Sequence, residues 1–220
     1  RTTTEEQYIT AKFAREVLGT ENIDHLLTTK GTFKNDSFTK LISSPAKHED
    51  IVNAQAIVLI GTNIEITNPF TRLKIVKAVS QKEAKLIAIH PHEVGLRGYV
   101  AHDLRPKFGS EISAVGLGLP SALTNQTESL KQASQDSGIS VESLTEAANT
   151  LANAERRVIL FGRDVLSHPK RDQYLAAIEN LVYSLNSLGK GTTKVLWLPE
   201  YNNSVGAIEM GLTPKNNGLT

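Results

Sequence analysis

The chain has 220 residues, of which 40% are hydrophobic and 21% charged, an ordinary composition for a soluble globular protein. Lys plus Arg number 24 and Asp plus Glu 23, so charge makes no case for nucleic acid or an anionic membrane, and no apolar run reaches the ~20 residues of a membrane span. Cysteine is absent, which excludes disulfides, Cys-ligated zinc, iron–sulfur clusters and a Cys nucleophile within these residues.

The first stretch, "TTTEEQYITAKFAREVLGTENID", begins as a helix should. Thr3 or Thr4 can cap it, Glu5 and Glu6 suit the positive end of the helix dipole, and Gly19 is a good stop. The four-residue spacing of Ile9, Phe13 and Val17 predicts one apolar face. Residues 25–50 are polar and aperiodic, a surface connection with one helical turn at 38–42. Arg1 already lies in a helical pattern and the chain stops in "PKNNGLT", so it is expected to be an excised piece of a larger protein.

Residues 56–60 form a continuous apolar run, as in a strand covered on both faces. Gly61-Thr62-Asn63 follows, and Pro69 suits the first position of a helix whose buried side is marked by Leu73, Val76 and Val79. "AKLIAI" is a second strand, which makes a βαβ unit with parallel strands. A short edge strand is expected near "YVAHDLRPK", and a helix after Gly109. The polar stretch 125–138 reads as a boundary between lobes. Beyond it come a helix with Val141, Leu144, Ala148 and Leu151 inward, a strand at 157–161 ending in Gly162, and a helix at 171–187 burying Tyr174, Ile178, Leu181 and Leu185. A strand at 194–198 and a short helix close the chain. The expected fold is α/β, with two Rossmann-like βαβ lobes and parallel strands. Residues 1–45 form an N-terminal helix and connection, 46–125 a first lobe and 126–220 a second.

Each candidate motif has a plain alternative. Gly61 ends a strand where ligands approach the backbone, yet there is no GxGxxG or Walker pattern, and a tight turn alone needs Gly. His90-Pro91-His92 has the spacing of a metal pair but no neighbouring third ligand beyond His102 and Asp103, so a polar surface loop is the simpler account. Arg163 can bind an anion, or pair with Asp164 or another acid. Asn203 and its neighbours can donate to a ligand or merely cap a helix.

Taken together, several stretches resemble the molybdopterin oxidoreductase family, which includes formate dehydrogenases, nitrate reductases and the Fe–S-carrying subunit of NADH-quinone oxidoreductase. "TEEQYITAKFAREVLGTENIDH" is similar to the family's helix ending in Gly-Thr-Asn-Asn-x-Asp. "AQAIVLIGTNIEITNPFTRLKIVKAVSQKEAKLIAIHPH" is similar to the block with Gly-x-Asn-Pro and a later Ile-Asp-Pro-Arg. "DLRPKFGSEISAVGLGL" resembles the block with Pro-Gly-Thr-Asp before a helix. "AANTLANAERRVILFGRDV" and "NNSVGAIEMGLTP" resemble the later strand-Gly block and the Asn-x-Gln-Gly-x-x-x-Met-Gly-x-x-Pro block.

The resemblance implies strand-end loops that hold the two guanine dinucleotide arms of a molybdenum cofactor. Gly61 and Asn63 match the first loop, and Gly109, Ser110 and Glu111 the loop that takes guanine through an acid. Gly162 matches the loop of the second half, and Asn203 and Gly206 the last. The departures matter too. His90 and His92 replace the family's Asp and Arg, which loses a fixed guanidinium fork. Ile64 stands where Pro is expected, Val205 where Gln is. "LLTTKGTFKNDS" lacks the Cys or selenocysteine metal ligand, and nothing flanking Asp36 or Ser37 marks either as its substitute. The resemblance therefore implies a module of the Fe–S-carrying subunit of a respiratory NADH-quinone oxidoreductase. Such a module has no catalytic residue, metal or cofactor of its own, and its parent chain carries Fe–S clusters in the preceding part. Its partners would be other subunits of the complex, in a cytoplasmic peripheral arm without membrane insertion. The alternative is the molybdopterin guanine dinucleotide-binding part of an active formate dehydrogenase catalytic subunit.

Overall fold

In the computed structural model, which describes residues 2–24, 35–201 and 203–212, every apolar run becomes a parallel strand. The strands are β1 (Ala56–Ile60), β2 (Lys85–Ile89), β3 (Val100–Leu104), β4 (Arg156–Phe161) and β5 (Thr192–Trp197). They form one sheet in the order β3-β2-β1-β4-β5, with all pairings parallel. The chain grows one way from β1 to β3, then returns to lay β4 on the other side of β1. The strands on either side of the lobe boundary expected at 125/126 thus pair directly, β1 with β4. Arg1–Asp36 with Pro199–Thr220 make one compact unit and Ser37–Leu198 another.

In the larger unit β1 is buried at every position, as its unbroken apolar run requires. Ile57, Leu59, Leu86, Ala88, Val158 and Leu160 share a core with Ile51, Ile64, Ile75 and Ala78. Ile51 comes from α3 (His48–Val52), Ile64 from α4 (Ile64–Thr67), and Ile75 and Ala78 from α5 (Pro69–Lys82). α5 turns Thr71, Ile75 and Ala78 inward and leaves Leu73 exposed, one position away from the expected face. On the opposite sheet face, Phe38 of α2 (Asp36–Ile42) packs edge-on against Phe161 and Trp197, with ring centroids 6.3 and 5.3 Å away. β3 is a half-exposed edge strand, and Ala46 N–H bonds Val195 O on the other edge at 2.7 Å.

Between β3 and β4 the chain is helical. α6 (Glu111–Ser113), a π-helical turn (Ala114–Gly118) and α7 (Leu119–Leu123) run on continuously, followed by α8 (Thr127–Ser137) and α9 (Val141–Asn153). α8 occupies the stretch read from sequence as a polar boundary. It buries only Leu130, Ala133 and Ser137, a face too sparse to stand out, and stops at Gly138 with φ +75°. α10 (Arg163–Ser167) and α11 (Arg171–Ser187) join β4 to β5, and α11 buries all four residues expected of it.

The smaller unit contains α1 (Thr4–Lys12), a π turn (Phe13–Val17) and α12 (Ser204–Glu209). Thr3 and Glu6 form a capping box. The core is Ala11, Ile23, Ala207 and Leu212. Ile9, Phe13 and Val17 are exposed, and Gln7 and Ala11 are buried in their place.

Candidate functional site

In a doubly wound sheet the ligand crevice opens at the carboxyl ends of the two strands where the order reverses. Here these are β1 and β4, which end in Gly61 and Gly162. The two loops cross in close contact. A methyl group on Gly61 would lie 2.8 Å from Val165 Cγ2, and one on Gly162 2.4 Å from Thr62 Cβ. Gly61 also has φ +55°, which side chains resist. The loop amides are already used: Gly61 N–H bonds Ile89 O at 3.3 Å, Gly162 N–H bonds Ile60 O at 3.2 Å, and Asp164 N–H bonds Gly61 O at 3.0 Å. These glycines let two strand ends cross, and their N–H groups serve the protein's own carbonyls.

Beside this crossing lies a pocket of about 320 Å³. Its polar wall is Glu111, Tyr174, His168, His90 and Asp164, with Gly61, His92 and Phe108 completing much of the rest, and among the described residues no Lys or Arg lines it. Glu111 is only 6% exposed, and its Oε2 has no hydrogen-bond partner among the described residues. His168 Nε2 is 3.8 Å from that oxygen. His168 Nδ1 accepts Lys170 N–H at 3.0 Å, so the neutral ring carries its proton on Nε2, facing the acid. Tyr174, 2% exposed, stands edge-on to His168 with centroids 5.4 Å apart, and its hydroxyl also has no hydrogen-bond partner among the described residues. Burial, then the negative charges of Glu111 and Asp164, push the Tyr174 phenol well above its ordinary range, so it stays a donor.

Helix packing brings Glu111 and Tyr174 together. A methyl on Gly116 would lie 2.6 Å from Ala177 Cβ, so the segment 111–123 crosses α11 in direct backbone contact. Tyr174 lies one turn before Ala177, on the side toward Glu111. Asn180 Nδ2 caps Gly116 O at 2.9 Å, within the π turn.

His90 follows β2, and its Nε2 donates to Asp164 Oδ2 at 3.0 Å. Its Nδ1 either accepts His92 N–H at 3.0 Å or, when protonated, donates to His92 O at 3.1 Å. The bond to Asp164 outweighs burial and raises the His90 pKa. Asp164 thus serves His90, a partnership that the sequence reading of Arg163 with Asp164 did not foresee.

Of the residues expected from sequence, Gly61, His92 and Glu111 come together in this pocket. Asn63, Ser110 and Gly162 adjoin it in the chain without lining it. Asn63 Oδ1 is buried and unbonded among the described residues. Ser110 Oγ turns back to Lys107 O at 2.6 Å, beside Gly109 at φ +86°. Asn203 and Gly206 belong to the smaller unit. There Asn203 Nδ2 donates to Thr2 O, Thr4 Oγ1 and Gln7 Oε1 at 3.1–3.2 Å, and a methyl on Gly206 would strike Asn203 Oδ1. Asp164, His168 and Tyr174 were missed as site residues, since only the fold puts them beside Glu111. Asp36 and Ser37 are described, and Ser37 Oγ bonds Glu179 Oε2, but residues 25–34 of the region lacking a Cys ligand lie outside the described residues. Among the described residues no group of three His, Asp or Glu could hold a metal, and no helix is long and apolar enough to cross a membrane.

A five-stranded parallel sheet whose strand order reverses between β1 and β4 defines a doubly wound α/β protein. The model of the molybdopterin oxidoreductase family matches residues 1–220, and the chain belongs to that family. It is 28% identical over 239 residues to the F420-dependent formate dehydrogenase subunit alpha of Methanocaldococcus jannaschii, covering 97% of this chain and 35% of that protein. It is 25% identical over 242 residues to the probable oxidoreductase YjgC of Bacillus subtilis, covering 96% of this chain and 24% of the relative. The chain therefore spans about a third or less of the curated relatives named here. Among solved structures, acetylene hydratase from Pelobacter acetylenicus shares the fold with a TM-score of 0.67 at 16% identity, over 84% of this chain and 28% of that one. The formyltransferase/hydrolase complex of Methylorubrum extorquens gives 0.63 at 14% identity, over 93% of this chain and 53% of its own.

Proposed function

We propose that this chain is the dinucleotide-holding part of a molybdopterin oxidoreductase of the formate dehydrogenase type, and that the switch-point pocket takes the guanine end of the cofactor. The carrying observation is Glu111: a buried carboxylate with an oxygen unbonded among the described residues, in the wall of a pocket at the crevice of a doubly wound sheet. A buried acceptor without a donor is costly, and a ligand with N–H groups relieves it. Guanine presents N1–H and N2–H side by side, whereas adenine sets the bare N1 against the acid. The residues present therefore fit the base. The pocket is near the lower end of the ~300–1,000 Å³ usual for small-molecule sites.

On this reading Glu111 receives the base, His168 faces the acid with its Nε2–H, and the His90–Asp164 pair fixes the wall below. The bound cofactor would supply the molybdenum redox centre. The chain's own residues bind and orient it, and because no described residue of the pocket wall is Lys or Arg, the phosphates fall to residues outside it. The relative named as a formate dehydrogenase subunit alpha supports this reading over an assignment to NADH-quinone oxidoreductase. Its designation as a subunit supports partners within a larger enzyme.

A second reading is favoured by two observations: the chain has no cysteine, and His90 and His92 replace the family's Asp and Arg. It makes the chain a structural module of an NADH-quinone oxidoreductase, in the peripheral arm of that respiratory complex, without its own redox centre. Molybdenum and pterin analysis of the natively purified protein separates the two. Near-stoichiometric molybdenum with pterin is expected on the first reading. Absence of both, with no preference for GDP over ADP, overturns the first reading and favours the second.

A further inference from the structure

Two residues of the pocket wall, on different helices, each carry a buried polar atom that lacks a partner among the described residues. Glu111 Oε2 is an acceptor and the Tyr174 hydroxyl is a donor. His168 neighbours both residues, its Nε2 3.8 Å from the Glu111 oxygen and its ring edge-on to the Tyr174 ring at 84°. It orients the phenol, and Lys170 N–H holds it in turn. An unmet donor and an unmet acceptor on residues of one pocket wall describe the complement of a ligand: an edge that carries N–H groups and a carbonyl oxygen.

We propose that Tyr174 is a base-specificity residue of this pocket, its hydroxyl donating a hydrogen bond to the ring carbonyl of an oxo-purine whose adjacent N–H groups bind Glu111. This rests on the reading that the pocket takes a guanine base, and adds a second, independent contact to it. Glu111 selects for N–H donors. Tyr174 selects for the oxygen beside them. The two residues stand 63 positions apart in sequence, and the Gly116–Ala177 contact keeps their helices in register.

The test is calorimetric titration of the purified protein with GDP, 6-thio-GDP and ADP. 6-Thio-GDP retains both N–H groups and replaces only the carbonyl oxygen by sulfur, a weaker acceptor. The wild type is expected to prefer GDP to 6-thio-GDP by about three- to tenfold, the size of one neutral hydrogen bond. Tyr174→Phe keeps the ring against His168. It should weaken GDP binding by that factor, leave 6-thio-GDP nearly unchanged, and so erase the preference. Glu111→Gln should weaken both. If Tyr174→Phe retains the wild-type preference while Glu111→Gln still weakens both ligands, the role of Tyr174 falls and guanine binding stands. If Glu111→Gln is without effect, or ADP binds as tightly as GDP, or GDP does not bind, the guanine reading itself falls. Should Tyr174→Phe fail to fold, the wild-type ratio decides: a ratio near one overturns the proposal.

Discussion

His90 Nε2 bonds Asp164 Oδ2 at 3.0 Å, joining the end of β2 to the start of α10 across the intervening end of β1. The bond closes the loop crossing from above and ties together the two halves of the sheet at their reversal. His90 is therefore a strut, in a position where the family resemblance anticipates an Asp.

This strut has a pH signature. The Asp164 bond, aided by the charges of Asp164 and Glu111 and by His92 O, raises the folded-state pKa of His90 against the effect of burial. A raised pKa stabilises the fold fully below the unfolded value of about 6.5 and loses that stabilisation as pH rises through the folded value. Asp164→Asn should thus lower the unfolding midpoint most between about pH 5 and 6.5, with the difference shrinking at higher pH. Thermal unfolding from about pH 5 to about pH 8.5 measures it. A pH-independent difference would assign the bond no charge.

The sheet was legible because a doubly covered parallel strand needs an unbroken apolar run, and residues 56–60, 84–89 and 157–161 have nothing else to be. The α1 face was not. Ile9, Phe13 and Val17 keep a perfect spacing, yet the unit buries Gln7, which meets Asn203, and Ala11, which is small enough for close packing. Periodicity marks a face and does not name what lies against it. The pocket was half legible: Glu111 stood out through the residues around it, while Tyr174 read as one more core aromatic in α11. Only the crossing of α11 by residues 111–123 brings Tyr174 into the same pocket wall as Glu111.

The crossing of Gly61 and Gly162 predicts a coupled pair of substitutions. Gly61→Ala meets Val165 and an unfavourable φ, and Gly162→Ala meets Thr62. Each should cost about 1–3 kcal/mol, as overpacking does. Because both press on the same two loops, the double variant should depart from additivity by more than about 0.5 kcal/mol. Urea unfolding of the three variants reads the coupling. Strict additivity would mean that the loops adjust independently.

Arg157 on β4 is 1% exposed and bonds two carbonyls: Nη1 donates to Leu151 O at 3.3 Å and Nη2 to Lys190 O. Burial lowers its pKa. A buried charge held this way contributes little net stability, because desolvation offsets its bonds. Arg157→Met fills much of the space and should cost under about 2 kcal/mol, whereas Arg157→Ala leaves a cavity and should cost about 2–4 kcal/mol. Chemical denaturation of both variants checks the ordering. The reverse order would show that the charge, rather than the volume, holds the site.

Gly116 gives the sharpest test of how the pocket is built. Its backbone is helical, so Gly116→Ala should by propensity stabilise the segment by about 0.5–1 kcal/mol. The new methyl, however, would lie 2.6 Å from Ala177 Cβ and 3.1 Å from its Cα, and a helix backbone cannot give as a side-chain tip can. The clash should win, for a net loss of about 1–2 kcal/mol. It should also push the Glu111 segment off α11, part Glu111 from Tyr174 and weaken GDP binding. Gly98→Ala is the control. It has open space around its methyl and suffers only from φ +85°, about 1–2 kcal/mol. The decisive variant removes the obstacle instead: Ala177→Gly combined with Gly116→Ala should recover both the unfolding midpoint and the GDP affinity toward wild type. Recovery of stability without affinity would separate the helix crossing from the pocket. Recovery of neither would place the cost of the Gly116 methyl somewhere other than α11.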